Sequence, residues 1–459
     1  MSGVKAFGKS IKTSRKTSSK VALIFLLSTK LSKREPRRGF TKHSAYVPCR
    51  ILPKRAVRTR QAYLERCVLG LLEGRAVLTP KDRYLTAIEH REPDLVPIDI
   101  SFLDPIHVER ILDRPTFGAG AGGGGGGVVA STSQEETLGL NEMMVRNQRM
   151  ENEAKRKIGV DALSVSDYNV FPSGYRPRFV SEDTYVDLFA RVYRVRRDVK
   201  TTWWVDGGIK TPEDLDRWVP PDAEEMDYSI VDLTVEEAGD EYPVVAWVHG
   251  SMMFPYLMRG GIDKLVFDIY RQPDFARRLI RKVADVNLEI TRRILDRGVD
   301  VVAESDDIAD CHSLFFNPRV FREFFFPYLK RLIDECHGRG LKFMKHSDGN
   351  LYPLLDDFVG LGVDGLHPIE PNVMDLGDVK RRYGERFFLR GNVDCTHILP
   401  SGSEADVRRD VRRCVDAAAK GGGFVLADSN SMHSNVRTEN IRVMVDEGRR
   451  YGKYPIGRG

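Results

Sequence analysis

The sequence has few cysteines and no long apolar run. Its six cysteines are scattered without a Cys-x-x-Cys pair, which argues against a disulfide framework and against a zinc ribbon. The apolar run at residues 21–27 is too short to cross a bilayer. We therefore expect no membrane span and a reducing compartment, which is the cytoplasm, or an organelle if the N-terminal segment is a transit segment.

Positive charge is concentrated at the N-terminus. Residues 1–78 carry 19 Lys and Arg but three acidic residues, so they contribute +16 to a formal net charge of +5, and the remaining 381 residues carry −11. An acidic body does not favour binding to nucleic acid. The basic segment is typical of a transit segment, of a disordered arm, or of a start codon assigned too far upstream, and all three interpretations stay open.

The glycine-rich stretch at residues 118–127 has no strand before it and no helix after it. It does not fit a phosphate-binding loop, which needs both, so we predict a flexible insertion at about residues 115–136. The ordered region is predicted to begin at Thr79, which can cap a helix with Pro80 in its first turn. Residues 79–459 form one predicted domain, and residues 1–78 form a basic extension.

Eight short apolar runs alternate with longer amphipathic segments after Thr79. Continuous apolar runs are typical of strands buried on both faces of a parallel sheet. Eight strand–helix units favour an α/β fold of the (β/α)8, or TIM-barrel, type over an open α/β sheet, which is the alternative. The predicted strands lie at residues 95–100, 162–165, 244–248, 299–303, 341–344, 365–369, 387–389 and 424–427.

Polar side chains lie at or shortly after the end of each predicted strand. In a parallel barrel these positions meet at one mouth, where the active sites of such barrels lie. Any one of them can instead start a turn, but a ring of carboxylates and imidazoles is what acid–base or metal chemistry requires. The set comprises Asp99, Asp167, His249, Glu304, Asp306, Asp307, His346, Asp348, His367, Glu370, Asn392, Asp394, Asp428, Asn430 and His433.

His346 and Asp348 form a His-x-Asp pair at the end of a predicted strand. Residues two apart on an extended strand point to the same side, so both side chains can bind one ion or one substrate atom. Three interpretations stay open at this point: a metal site, a substrate-binding pair, and a turn in which Asp348 caps the next helix.

Several motifs occur in an order that resembles a known family. They are Arg91-Glu-Pro-Asp-Leu-Val-Pro97, Asp306-Asp307, His346-Ser-Asp-Gly349, Gly391-Asn-Val-Asp394 and Thr438-Glu-Asn440. From residue 79 to about residue 456, apart from the glycine insertion, the chain resembles the uroporphyrinogen decarboxylase superfamily. The resemblance implies a barrel enzyme, either a porphyrinogen decarboxylase or a corrinoid-linked methyltransferase.

The decarboxylase branch matches this chain only in part. Its members carry arginines after the first strand that hold the carboxylates of the porphyrinogen, whereas Asp99 and Asp104 stand there in this chain. By resemblance, Asp167 is the aspartate that binds the pyrrole NH groups, Tyr256 is the active-site tyrosine, and Asn430 replaces the catalytic histidine. Such an enzyme needs no cofactor but needs arginines that face the substrate; the candidates are Arg176, Arg259 and Arg390.

The methyltransferase branch places zinc on a His-x-Cys pair and a later cysteine, and the zinc lowers the pKa of the thiol that attacks methylcobalamin. His346 matches the first ligand, but Asp348 and Asn430 replace the two cysteines. The harder donor set can hold zinc with help from Glu304 or Asp428, hold another divalent ion, or hold none. The resemblance also implies a corrinoid that a partner protein supplies.

The sequence favours a methyltransferase-like enzyme that moves a methyl group between a small substrate or corrinoid and an acceptor. The alternatives are uroporphyrinogen decarboxylation and a non-catalytic barrel that binds a ligand. The predicted catalytic residues are Asp167, Tyr256, His346 and Asp348, and the predicted metal ligands are His346, Asp348, Glu304 and Asp428. The predicted substrate-binding residues are Asp99, His249, Asp307, His367, Glu370, Asn392, Asn430 and His433.

Overall fold

The computed structural model describes residues 78–117, 140–196 and 201–457. These residues belong to one compact unit, Leu64–Gly459. The basic extension and most of the predicted glycine-rich insertion lie outside the described residues, so both stay predictions. Within the described ranges, no helix is both long and apolar enough to cross a bilayer.

Seven parallel strands form the central sheet, and neighbours in the sheet are also neighbours in chain order. Their residues are almost entirely buried, as the continuous apolar runs predict, and each strand overlaps one predicted run. With strands numbered along the chain, they are β1 (Leu163–Ser166), β8 (Val244–Val248), β9 (Val301–Glu304), β10 (Lys342–His346), β11 (Gly365–His367), β12 (Phe388–Val393) and β13 (Phe424–Asp428).

The segment around Ile98 closes this sheet. Ile98 forms a parallel bridge with Leu426 of β13, and its carbonyl accepts a hydrogen bond from the backbone N–H of Asp161, just before β1, at 2.7 Å. The eighth predicted strand, residues 95–100, therefore lies between β13 and β1, although it forms isolated bridges rather than a regular strand. The prediction of a TIM-barrel-like α/β fold is confirmed.

Helices follow the barrel strands and bury their apolar faces. The first begins as predicted, because Thr79 accepts a hydrogen bond from the backbone N–H of Asp82 at 3.0 Å. The helices are α1 (Pro80–Ile88), α2 (Pro105–Leu112), α3 (Leu140–Ile158), α4 (Pro212–Arg217), α5 (Ser229–Ala238), α6 (Met253–Arg259), α7 (Ile262–Arg271), α8 (Pro273–Leu295), α9 (Pro318–Val320), α10 (Phe326–Gly338), α11 (Leu355–Leu361), α12 (Leu376–Tyr383), α13 (Ile398–Ser401), α14 (Glu404–Ala418) and α15 (Thr438–Tyr451).

Two small antiparallel sheets are inserted between β1 and β8, and the sequence did not predict them because their strands lack continuous apolar runs. One pairs β2 (Phe171–Pro172) with β7 (Met226–Asp227); the other contains β3 (Arg178–Phe179), β4 (Thr184–Val186), β5 (Arg191–Arg196) and β6 (Thr201–Gly207). The four-stranded sheet packs on α6, where Trp204 Nε1 donates a hydrogen bond to the carbonyl of Leu257 at 3.1 Å. This contact brings β5 close to the mouth of the barrel.

Candidate active site at the mouth of the barrel

His346 and His367 lie side by side at the ends of β10 and β11. They are register partners, and their Nδ1 atoms are 2.7 Å apart. Burial lowers the pKa of His346 to about 3, with Lys345 and Arg390 adding to the effect. Burial and Arg390 also hold the pKa of His367 well below its ordinary value. Both rings are neutral at pH 7, so when Nδ1–H of His346 donates to His367, the Nε2 lone pair of His346 is free to bind a ligand.

Asp307 and Asp348 lie next to this nitrogen. Asp307 Oδ1 is 3.5 Å from His346 Nε2 and accepts a hydrogen bond from the backbone N–H of Asp348 at 3.0 Å. Asp348 accepts a hydrogen bond from Asn430 Nδ2, while its Oδ1 is buried without a partner. Burial raises the pKa of both carboxyl groups, and the charge of Asp307 raises that of Asp348 further. A proton or a cation between the two carboxylates would relieve their repulsion.

Asp307, His346 and Asp348 have the geometry of a metal-binding group. One ligand atom of each residue lies within 4.8 Å of those of the other two. Two carboxylate oxygens and one imidazole nitrogen suit zinc or another divalent ion, and an ion would also give the unpartnered oxygen of Asp348 a ligand role. His367 supports Nδ1 of His346 from behind, as partners of metal-binding histidines commonly do. The residues present therefore fit a divalent metal.

Glu304 and Asp428, the other predicted metal ligands, lie outside this group. Glu304 is paired with Lys345 Nζ at 2.5 Å. Asp428 is fully buried at the end of β13, and neither of its oxygens has a partner among the described residues. Burial raises the pKa of both carboxyl groups. The structure favours Asp307 as the third ligand, because a ligand atom must reach the same ion as His346.

Asp167 and His249 form a second group at the ends of β1 and β8. Asp167 Oδ1 accepts a hydrogen bond from His249 Nδ1 at 2.6 Å, and Oδ2 accepts one from the backbone N–H of His249 at 2.7 Å. The His249 ring stacks on Phe254, with centroids 4.7 Å apart, and meets Tyr168 edge-on at 4.1 Å. Both oxygens of Asp167 are thus engaged in orienting His249.

Tyr256 lies on the acidic side of the same mouth. Burial raises the pKa of its phenol well above the ordinary value, and the charges of Asp307 and Asp306 raise it further. The phenol therefore stays protonated and can donate a hydrogen bond. Asp306 accepts a hydrogen bond from the backbone N–H of Met252 at 2.7 Å, which fixes the start of α6. Tyr256 is thereby brought towards the group that contains Asp307.

The three candidate arginines for a carboxylate-rich substrate are either paired with internal carboxylates or exposed. Arg390 is fully buried, and its Nε donates a hydrogen bond to Asp99 at 2.7 Å. Arg259 is paired with Asp268 in the same way. Arg176 is exposed in the segment before β3. Asp99, predicted to bind substrate, forms an internal ion pair instead of presenting a free carboxylate.

Three further residues predicted to bind substrate hold the backbone near the mouth. Asn392 Nδ2 donates a hydrogen bond to a backbone carbonyl at 2.5 Å, and His433 Nε2 donates one at 3.1 Å. Glu370 accepts a hydrogen bond from the backbone N–H of Gly349 at 2.8 Å. Contact between these side chains and a substrate stays a prediction.

Two residues near the mouth were not predicted from the sequence. Lys345 is buried and stands opposite Glu304 in the register of β10 and β9. Its position within an apolar run of the sequence could have indicated a buried lysine near the mouth. Arg191 of β5 is buried and paired with Asp187 at 2.7 Å, and its guanidinium lies 4.0 Å from the ring centre of Phe254. Its role depends on a sheet for which the sequence held no comparable signal.

A parallel barrel with carboxylate and imidazole groups at the carboxyl ends of its strands defines the class of the protein. In barrels of this class, those strand ends and the loops that follow them form the active site. The Asp307, His346 and Asp348 group and the Asp167–His249 pair both lie there.

Comparison with known proteins gives the family. The family model for uroporphyrinogen decarboxylase (URO-D) matches residues 200–451, so the chain belongs to the uroporphyrinogen decarboxylase family, and the resemblance is confirmed. The uroporphyrinogen decarboxylase of Aeromonas salmonicida is 25% identical over 257 residues, which cover 52% of this chain and 68% of that protein. The uroporphyrinogen decarboxylase of Cupriavidus pinatubonensis is 23% identical over 267 residues, which cover 53% and 70%.

A solved structure supports the fold independently. A methyltransferase from Methanosarcina mazei superposes with a TM-score of 0.60 at 17% identity, covering 82% of this chain and 99% of that one. At this identity the likeness shows a shared barrel fold.

Proposed function

We propose that this chain is a methyltransferase-like enzyme that moves a methyl group between a small substrate or a corrinoid and an acceptor. The observation that carries the proposal is the Asp307, His346 and Asp348 group, whose ligand atoms lie within 4.8 Å of one another. By resemblance, His346 and Asp348 stand where the methyltransferase branch has its metal ligands, with oxygen in place of sulfur. A corrinoid protein would be the partner when the methyl donor is a corrinoid.

The same mouth disfavours uroporphyrinogen decarboxylation. A porphyrinogen carries many carboxylates, whereas the mouth presents Asp307, Asp348 and Glu370, and buried Arg390 and Arg259 are already paired with carboxylates. Like charges at close range are unfavourable. In addition, both oxygens of the Asp167 carboxylate already accept hydrogen bonds from His249, which would compete with pyrrole NH groups for the same carboxylate.

Methyl transfer to a thiol or hydroxyl acceptor releases one proton from that acceptor. The methyl carbon forms a bond to the sulfur or oxygen of the acceptor, the bond to the donor breaks, and the donor keeps the electron pair. Asp307, His346 and Asp348 would hold a divalent ion, whose Lewis acidity would lower the pKa of a thiol or hydroxyl acceptor. Tyr256 orients the substrate by donating a hydrogen bond, and His367 holds the His346 ring in place.

The first test measures metal content. Purified wild-type protein and the variants Asp307→Ala, His346→Ala and Asp348→Ala are analysed for zinc and other divalent metals. We expect one ion per chain in the wild type and its loss in all three variants. His337→Ala is the matched control, because the ring of His337 pairs with Asp364 before β11, at the other end of the barrel, and should retain the ion.

The second test measures methyl transfer from methylcobalamin to 2-mercaptoethanol by the change in visible absorbance. We expect turnover by the wild type and a loss of at least about 10–100-fold in His346→Ala, as for damaged metal sites. Active wild-type protein without metal would end the metal assignment. Conversion of uroporphyrinogen to coproporphyrinogen would overturn the choice of reaction, and ligand binding without turnover in either assay would favour a non-catalytic barrel.

A further inference from the structure

The Asp167–His249 pair is held in one orientation. Asp167 accepts hydrogen bonds from both Nδ1 and the backbone N–H of His249, at 2.6 and 2.7 Å. Because the Asp167 carboxylate accepts from Nδ1, the proton of the neutral ring stays on that atom and Nε2 carries the lone pair. The pair therefore presents a basic nitrogen whose tautomer is set by the protein.

Aromatic rings fix the plane of this imidazole. His249 stacks on Phe254 and meets the edge of Tyr168. The guanidinium of Arg191 lies 4.0 Å from the ring centre of Phe254 and 4.8 Å from that of Tyr168, while Asp187 holds Arg191 in an ion pair. The four-stranded antiparallel sheet thus holds both rings that flank His249. Such support restricts the ring to the orientation that proton transfer needs.

The free nitrogen of His249 is directed away from Asp167. The two nitrogens of an imidazole point in divergent directions, and Nε2 makes no hydrogen bond to a described residue. The strand order β1, β8, β9, β10 places His249 between Asp167 and the ends of β9 and β10. His249 therefore lies at the same mouth as the candidate metal group.

His346, His367 and His433, the other histidines described near the mouth, each make a hydrogen bond through one ring nitrogen. Nε2 of His346 belongs to the candidate metal group, and its Nδ1 is bonded to His367. Nε2 of His433 donates to a backbone carbonyl. If Asp307 and Asp348 bind the ion, the oxygens that hold it are not available to accept a proton from the acceptor.

We infer that His249 Nε2 takes the proton of the methyl acceptor and that Asp167 positions His249 for this step. The inference rests on the proposed methyl transfer. As the bond from the methyl carbon to the acceptor forms, the S–H or O–H bond of the acceptor breaks and its proton passes to Nε2. The imidazolium is stabilised by the carboxylate of Asp167. The proton then leaves to solvent when the products depart.

Two thiol acceptors distinguish a proton-accepting role of His249 from a purely structural role. With methylcobalamin as donor, 2-mercaptoethanol must lose its proton during the reaction, whereas an acidic aryl thiol is already ionised at the assay pH and needs no base. His249→Gln should lower kcat with 2-mercaptoethanol by about 10²- to 10⁴-fold, with KM and metal content little changed. With the aryl thiol the same variant should keep most of its rate.

Asp167→Asn tests the positioning role. We expect a loss of about 10–100-fold with 2-mercaptoethanol and again little loss with the aryl thiol. In ¹⁵N spectra of histidine-labelled wild-type protein, His249 should carry its proton on Nδ1, and this single tautomer should be lost in the variant. A wild-type ring protonated on Nε2 would overturn the inference.

The outcomes distinguish the two proposals. Equal losses with both thiols in His249→Gln would overturn the role of His249 while leaving the proposed methyl transfer intact. Absence of methyl transfer by the wild type with either thiol would overturn both. Retention of full activity with 2-mercaptoethanol in His249→Gln would also show that the proton leaves by another route.

Discussion

Two buried carboxylates near the mouth, Asp99 and Glu304, are each paired with a buried cation. Asp99 and Arg390 are both fully buried and paired at 2.7 Å, and Glu304 and Lys345 are paired at 2.5 Å. A charge left alone in the interior is costly, so each residue of such a pair depends on the other. Gly250 is also constrained here, because a Cβ at this position would lie 2.4 Å from Oε1 of Glu304.

Removing one partner of the buried Asp99–Arg390 pair should be more damaging than removing both charges. Arg390→Met leaves Asp99 charged and buried, and we expect the free energy of unfolding to fall by about 3–5 kcal/mol in urea denaturation. The double variant Asp99→Asn/Arg390→Met should recover part of this loss. A double variant no more stable than Arg390→Met would contradict a dominant role for the unpaired charge.

Contact between elements supports the mouth from outside the barrel. The four-stranded sheet and the residues just after it contact α6. Trp204 Nε1 of β6 donates a hydrogen bond to the carbonyl of Leu257, and the N–H of Ile209, two residues after β6, donates to the carbonyl of Met258 at 3.0 Å. Helix α6 carries Phe254 and Tyr256, so this contact positions side chains that act at the mouth.

Gly207→Ala tests this contact. A Cβ at Gly207 would lie 2.0 Å from the carbonyl oxygen of Met258 and 2.4 Å from that of Leu257, and neither can move without moving α6. We expect a loss of about 1–3 kcal/mol in the free energy of unfolding and a lower rate of methyl transfer. Gly338→Ala is the control, because nothing lies within 4 Å of its Cβ; its unfolding free energy should change by less than about 0.5 kcal/mol.

Helices α14 and α15 are joined by a solvent-inaccessible carboxylate. Glu447 accepts hydrogen bonds from Arg408, Arg412 and Arg450 at 2.8, 2.6 and 3.0 Å. Burial alone raises the pKa of Glu447, but the hydrogen bonds from the three arginines outweigh burial and lower it to about 2. The ionised form of Glu447 therefore stabilises the folded state.

The contribution of Glu447 to the free energy of unfolding should fall at acidic pH. Since its pKa is depressed in the folded state, the contribution is fully present above the ordinary glutamate pKa of about 4.3 and is lost as the pH falls towards 2. We expect Glu447→Gln to lower the free energy of unfolding by about 1–3 kcal/mol at pH 7, because the arginines remain partly exposed. Urea titrations should show that difference shrinking below about pH 4. A difference constant down to pH 3 would contradict the assignment.

At the scale of the whole molecule, closure of the barrel gathers residues that are far apart in sequence. Asp307 and Asp348 are 41 residues apart yet joined by a hydrogen bond, and Asp167 and His249 are 82 residues apart.

We propose that residues 79–459 fold independently of the basic extension. A chain beginning at Leu78, whose carbonyl accepts a hydrogen bond from Arg83, should retain its metal content and melting temperature; a fall in stability of more than about 1 kcal/mol would contradict independence.

The parts of the fold that could be predicted were those encoded locally. Continuous apolar runs predicted the seven regular barrel strands, because strands buried on both faces need apolar residues throughout. In the four-stranded sheet, β3 is exposed and β5 alternates buried residues with more exposed ones, so the same criterion missed these strands. In the site, His346 and Asp348 could be paired from their spacing alone, whereas the place of Asp307 beside them depends on the register of β9 and β10.

By itself, the sequence determined the family, the barrel and the set of polar residues at its strand ends, since burial patterns and short motifs are properties of neighbouring residues. Only the tertiary structure decided how those residues divide: Asp307 joins His346 and Asp348, Asp99 and Glu304 pair with internal cations, and Asp167 orients His249. The physical reason is that ligand geometry, ion pairing and hydrogen bonding act over a few ångströms between distant segments, and strand register and barrel closure set those distances.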